Sequence, residues 1–192
     1  MGRVLLVRHT EVALKWSGRC YGCSDVPLSR AGRRQARAIA EQLSTEPVSI
    51  VVHSGLMRAA WLAEQIGRLT NAAVRADARW RERDFGTWER RSWDSIWRET
   101  GSAMEGLLTA PDRFRPGGGE TTQELAERSL AAWNALPQET LVVVVSHGGP
   151  IATLRALLAG APLEHVLQYR VATGSITAID RGEASRSGPF TP

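Results

Sequence analysis

The runs "VLLV" at 4–7 and "LVVVV" at 141–145 constrain the fold most, because they are apolar at every position and not at alternate ones. Successive side chains of a strand point to opposite faces, so a strand apolar throughout must be covered on both sides. "VSIVVHS" at 48–54 has the same character. Between these runs lie segments of helical spacing. "PLSRAGRRQARAIAEQL" opens a helix at about Ser29, with Ala36, Ile39, Ala40 and Leu43 on one side, and "LMRAAWLAEQIGRL" carries Leu62, Ile66 and Leu69. The alternation predicts an α/β fold with a mainly parallel central sheet and helices on both faces.

Elsewhere the pattern predicts a short strand in "AAVRAD" at 72–77, then an arginine- and tryptophan-rich loop leading to a short helix from Trp93 to Glu99. "RFRPGGGET" is a Pro/Gly break, and Thr121 with Glu124 reads as a capping box opening a helix with Ala126, Leu130 and Trp133 that ends near Pro137. After the strand at 140–146 come a helix in "IATLRALLAG" and two further strands, "HVLQYRV" at 165–171 and "GSITAID" at 174–180. We expect one domain over residues 1–181 and a loose polar tail at 182–192.

At 192 residues, 43% hydrophobic and 23% charged, the composition is that of a soluble globular protein, and no run approaches the roughly 20 apolar residues of a membrane helix. The start lacks the apolar segment and cleavage site of a secretory signal, so a cytoplasmic location is expected. The net charge of +4 comes almost wholly from arginine, with Lys15 the one lysine. These arginines are scattered, with no stripe suited to a nucleic-acid backbone, which favours small anionic substrates over nucleic acid. Cys20 and Cys23 form "CYGC" with no second pair, and the motif runs into a turn-like "SDVPLS", so they read as loop thiols and not as a zinc or redox site.

Two strands end in histidine: His9 after "VLLVR" and His147 after "LVVVVS". In a parallel sheet both emerge on the edge where open α/β folds bind ligands. Arg8 beside the first and the Gly148-Gly149 turn after the second make this an anion site, since guanidinium matches phosphate bidentately and a helix start offers free amides. Arg58, in the first turn of the second helix, is a possible second clamp; alone it would read as a solvated surface arginine. Neutral imidazole can take a phosphoryl group covalently, and a protonated carboxyl group would serve as the acid, with Glu82, Asp84 and Glu89 as candidates that periodicity does not separate. Arginines stand where a metal-assisted route would want cations, so no metal is expected. His53 and His165 receive no role.

Taken in order, "LVRHTE" at 6–11, "HSGLMRA" at 53–59, "RERDFGTWE" at 81–89, "PGGGET" at 116–121 and "VVSHGGPI" at 144–151 resemble the motifs of the histidine phosphatase superfamily, in its phosphoglycerate mutase-like branch. The resemblance implies a phosphoglycerate mutase-like fold, His9 as phosphorylated nucleophile, Arg8 and Arg58 as phosphate ligands, His147 as support for the transferring group and Glu82 as proton donor, with no cofactor. It selects Glu82 over Asp84 and Glu89. Thr10 stands where the family more often has glycine, a variant within the superfamily expected to keep activity; Lys15 stands where the mutases have asparagine, which with the short chain favours a hydrolase over a mutase, and the presence of all five site residues argues against a non-catalytic phosphate-binding relative. "GRCYGCSDVPLS" and "FGTWERRSWDSI" are most similar to α-ribazole phosphatases of cobalamin assembly, which would place Tyr21, Gly22 and Cys23 in the substrate pocket. The expected partner is a small phosphorylated metabolite; the sequence leaves open monomer or homodimer, and whether residues 100–116 cover the site. With His9 neutral and Glu82 protonated as requirements, a bell-shaped pH profile in the mildly acid to neutral range is expected.

Overall fold

The computed structural model describes residues 2–138 and 140–181, so the expected tail at 182–192 lies outside the described residues. Strands β1 (Arg3–Arg8), β2 (Val48–His53), β3 (Ala73–Ala76), β4 (Leu141–Ser146) and β5 (Ile176–Asp180) form one sheet in the order β3-β2-β4-β1-β5. β1, β2, β3 and β4 run parallel, and β5 closes the β1 edge antiparallel. Helices α1 (Arg30–Gln42) and α2 (Met57–Thr70) cover one face; α5 (Thr122–Asn134) and α6 (Gly148–Leu158) cover the other. The short α3 (Trp93–Thr100) and α4 (Gly106–Thr109) belong to the long connection between β3 and β4.

The apolar runs divide as a two-residue period demands. Leu5, Val7, Val143 and Val145 join Ile39, Leu62 and Ile66 in one buried cluster. Val4, Leu6, Val142 and Val144 join Trp133, Ile151 and Leu154 in the other. Each such side chain contributes about 1.5–3 kcal/mol on burial, so a charge anywhere in these runs would be costly on either face. α1 begins at Ser29, whose hydroxyl accepts from Gly32 N, and α5 begins with the reciprocal capping box of Thr121 and Glu124.

This topology opens the site. β1 and β4 are neighbours in register, Arg8 opposite Ser146, yet β1 leads to α1 on one face and β4 leads to α6 on the other. The chain therefore diverges beyond their carboxyl ends and leaves a crevice.

One expected element is corrected. Residues 165–171 do not form a strand; Leu163–Tyr169 is a 3₁₀ helix. Leu163 and Val166 are its buried residues, a spacing of three that suits this tighter helix and that the apolar-polar alternation concealed. The stretch 78–119 shares a small core with the loop after β1, in which Cys20, Trp88 and Ile96 are buried with Phe85, Trp93 and Phe114 packed around them.

Candidate active site

His9 and His147 meet at the crevice, their ring centroids 5.1 Å apart. Both are buried. The His9 backbone extends the ladder, its N donating to Ser146 O at 3.0 Å. His9 Nδ1 lies 2.8 Å from Thr10 O. A carbonyl only accepts, so the proton sits on Nδ1 and Nε2 keeps its lone pair. Burial, then the charges of Arg58 and Arg8, lower the His9 pKa to about 3 against the opposing Thr10 bond. The ring is neutral over the working range, with Nε2 free to attack.

His147 takes the opposite tautomer. Its Nδ1 accepts from Arg58 Nε at 3.3 Å, and its Nε2 lies 2.7 Å from Ser54 Oγ. Because guanidinium only donates, Nε2 carries the proton and donates to Ser54. Burial and the nearby Arg58 hold this imidazole well below its ordinary pKa.

Arg58 overturns the reading of a solvated surface side chain: its exposure is 0%. It donates to Gly22 O at 2.6 Å and Ser24 O at 2.8 Å, and its guanidinium lies 5.1 Å from the Tyr21 ring centroid. No carboxylate forms an ion pair with it among the described residues. Burial lowers its pKa, opposed chiefly by Glu82. Arg8 is similar in kind: it donates to Val171 O at 2.7 Å, while its Nε is buried without a partner. Two guanidiniums without counter-ions, one aimed at a neutral imidazole, form a cradle for an anion.

Glu82 lines a cavity together with Arg8. Its carboxylate oxygens accept from Gly149 N at 3.1 and 3.2 Å, and Oε1 accepts from Arg83 N at 2.9 Å. The Gly148-Gly149 turn makes room for both groups: a Cβ on Gly148 would lie 3.2 Å from Arg8 Cζ, and one on Gly149 only 2.2 Å from Glu82 Oε1. The two other acids that periodicity left open are engaged elsewhere. Asp84 accepts from Gly86 N in an exposed turn. Glu89 clamps the loop after β1, accepting from Cys23 N and Ser24 Oγ.

Of the expected pocket residues, Tyr21 and Gly22 support Arg58, and Tyr21 lines a cavity with His9. Cys23 turns its Sγ to Glu82 O at 3.0 Å, tying the two loops together. Cys20 is buried in the small core. Burial pushes both thiols up to about 12, so neither is a nucleophile near neutrality. His53 Nδ1 accepts from Gly55 N in the turn after β2, and His165 is exposed on the 3₁₀ helix. Ser54 and Arg128 lie outside the residues expected from the sequence. Arg128 donates to Glu82 O at 3.0 Å and to Arg79 O and Arg81 O at 2.7 Å, fixing the loop that presents Glu82. The capping residues and the "SHGG" turn were visible in the sequence, but nothing local marks Arg128, one arginine among many on helical spacing, as a loop anchor.

The family model of the histidine phosphatase superfamily, branch 1, matches residues 4–187. The chain belongs to that family. It is 33% identical over 187 residues to the probable phosphoglycerate mutase GpmB of Salmonella choleraesuis, covering 96% of this chain and 87% of that protein. Among solved structures it resembles the mycobacterial glucosyl-3-phosphoglycerate phosphatase, with 32% identity, a TM-score of 0.80 and coverage of 92% and 88%. It also resembles the α-ribazole phosphatase of Shigella flexneri, with 27% identity, a TM-score of 0.79 and coverage of 93% and 90%. The mostly parallel sheet is that of these phosphoglycerate mutase-like neighbours. Among the described residues no helix is long and apolar enough to cross a membrane.

The histidine tautomers and burial move the expected pH profile. A lowered pKa means that neutral His9 persists until the pH falls towards about 3, so a kcat/KM that depends on neutral His9 should not fall for want of it at pH 5. Stability behaves differently. The unfolded chain binds protons at both histidines near pH 6.5 while the folded chain resists them, so stability should fall as pH drops below 6.5, by up to about 1.4 kcal/mol per pH unit for each. Melting curves and kcat/KM measured from pH 4 to 7 check this; a kcat/KM that follows a single ionisation at 6.5 would place a titrating His9 in the site.

Proposed function

We propose that the protein is a metal-independent phosphomonoesterase that works through a phosphohistidine at His9. The observation that carries this reading is the lone pair on His9 Nε2, fixed by the Nδ1 bond to Thr10 O, beside two guanidiniums that lack carboxylate partners. Arg8 and Arg58 bind the equatorial phosphoryl oxygens, where positive charge stabilises a loose transition state. His9 Nε2 attacks phosphorus as the ester P–O bond breaks, and Glu82 delivers a proton to the leaving oxygen. Water then attacks the phosphohistidine with Glu82 as base, releasing phosphate and restoring His9. His147 keeps Arg58 oriented and lies against the transferring group.

The test is turnover of 4-nitrophenyl phosphate with and without a chelator, with quenching in alkaline detergent to keep phosphate on His9. Unchanged rates in chelator and an acid-labile label are expected; a requirement for added divalent metal would remove the proposal. Glu82→Gln adds a second check. A nitrophenolate leaves without a proton whereas an alkoxide does not, so the variant should lose about 10²- to 10⁴-fold with an alkyl phosphate and far less with the aryl ester. Equal losses on both would deny Glu82 the role of acid.

α-Ribazole 5′-phosphate is one candidate substrate, supported by the likeness to the Shigella flexneri enzyme. The likeness to the glucosyl-3-phosphoglycerate phosphatase is as extensive, so identity does not separate the two. A mutase reading rests on the likeness to GpmB, and requires 3-phosphoglycerate to isomerise faster than phosphate is released.

A further inference from the structure

Two cavities flank the phosphate cradle, one lined by His9 and Tyr21 and the other, of about 200 Å³, lined by Arg8 and Glu82. On the phosphohistidine reading, in-line displacement puts the leaving oxygen opposite His9 and beside Glu82, so the alcohol occupies the second cavity. Its walls hold Arg83 and Arg170 besides Arg8, and Glu82 is the one acid among them.

Arg83 is only 7% exposed. Its guanidinium donates to Glu120 O at 3.2 Å and lies 5.9 Å from the Phe85 ring centroid. The Glu120 carboxylate is held bidentately by Arg128 at 2.5 and 2.9 Å, so Glu82 and Glu120 offset the burial of Arg83 only through their nearby charge, without an ion pair among the described residues. Arg170, exposed at the end of the 3₁₀ helix, has no ion pair among the described residues. A near-buried cation with no carboxylate partner is costly unless an anion completes it. Leu107, whose carbonyl is tied to Thr122 Oγ1 at 2.9 Å, and Leu167 supply apolar walls.

We infer that Arg83 and Arg170 form a second anion subsite, so that the preferred substrates are phosphate monoesters of alcohols that themselves carry an anionic group, a carboxylate or a second phosphate. Arg83 and Arg170 are thus specificity determinants, distinct from the Arg8–Arg58 cradle that every monoester uses. Neutral alcohols, α-ribazole among them, leave both charges unanswered and react more slowly.

The test compares matched esters. 3-Phosphoglycerate and glycerol 3-phosphate differ in the carboxylate, and 1,3-propanediol bisphosphate and propyl phosphate differ in the second phosphate. The expected kcat/KM ratio within the favoured pair is about tenfold or more, the size of a charge-assisted contact. The larger ratio names the anion. Arg170→Ala, at an exposed position, should reduce that ratio by about tenfold, and Arg83→Gln should reduce it further. A purely structural role would lower both members together and leave the ratio at its wild-type value. Ratios near one in both pairs for the wild type, or a ratio unmoved in Arg170→Ala, overturn the inference even if all four esters are hydrolysed. Failure to hydrolyse any ester, 4-nitrophenyl phosphate included, would instead overturn the phosphatase reading on which it rests.

Discussion

His9→Ala abolishes turnover, lowering kcat for 4-nitrophenyl phosphate by at least about 10⁴-fold. The reason is specific to the covalent route. On the proposed route His9 Nε2 forms the new bond to phosphorus, and the neighbouring imidazole is no substitute, because His147 has its Nε2 proton committed to Ser54 and its Nδ1 to Arg58. The variant should still fold. Among the described residues the His9 side chain hydrogen-bonds to the carbonyl of the next residue, so its loss strands one acceptor, at about 1–3 kcal/mol. It also removes a buried histidine that resists protonation. A native melting transition with no turnover and no acid-labile label is the expected combination. Retention of more than a hundredth of the wild-type rate would mean that water, and not imidazole, attacks phosphorus.

Arg58→Met is expected to uncouple phosphate binding from stability. Arg58 is 0% exposed, and its partners are two carbonyls and an imidazole, none of which neutralises its charge. Burying a charge costs several kcal/mol, whereas an apolar side chain of similar length costs none of this but leaves the Gly22 and Ser24 carbonyls without their donor. These effects oppose one another, so the ligand-free variant should lie within about 2 kcal/mol of the wild type. Its function should not survive: removal of one arginine from a phosphoryl-transfer site costs about 10³-fold or more. Inorganic phosphate should raise the wild-type melting temperature, with about 2.7 kcal/mol gained at a hundred times its Kd, and should leave Arg58→Met unmoved. An equal phosphate response in both proteins would place the anion elsewhere.

The acids illustrate what periodicity left open and only the motif resemblance selected. Glu82, Asp84 and Glu89 occupy one irregular segment, and no periodicity distinguishes them. The structure separates them by their partners: Gly149 N for Glu82, a turn amide for Asp84, the loop after β1 for Glu89. Arg58 looked like an ordinary helix-surface residue because α2 alone does expose it. The segments containing Gly22 and Ser24 fold over it and remove the solvent. Conversely, 165–171 looked like a strand because short apolar runs fit either period, and the place beside β1 is filled by β5 instead.

The sequence by itself determined the layered α/β plan, the strand ends that present His9 and His147, and the capped starts of α1 and α5. Each of these is a one-dimensional pattern: burial on both faces of a strand writes itself into consecutive residues, and a cap into residues three apart. Only the tertiary structure decided which tautomer each histidine holds, what each of the three acids bonds to, and that Arg58 and Arg83 are buried without an ion pair among the described residues. Those properties depend on contacts between distant segments, Arg58 with His147 at a separation of 89 residues and Arg8 with Val171 at 163. Charge, burial and hydrogen-bond direction are set by what the rest of the chain brings alongside, and local spacing carries no record of that.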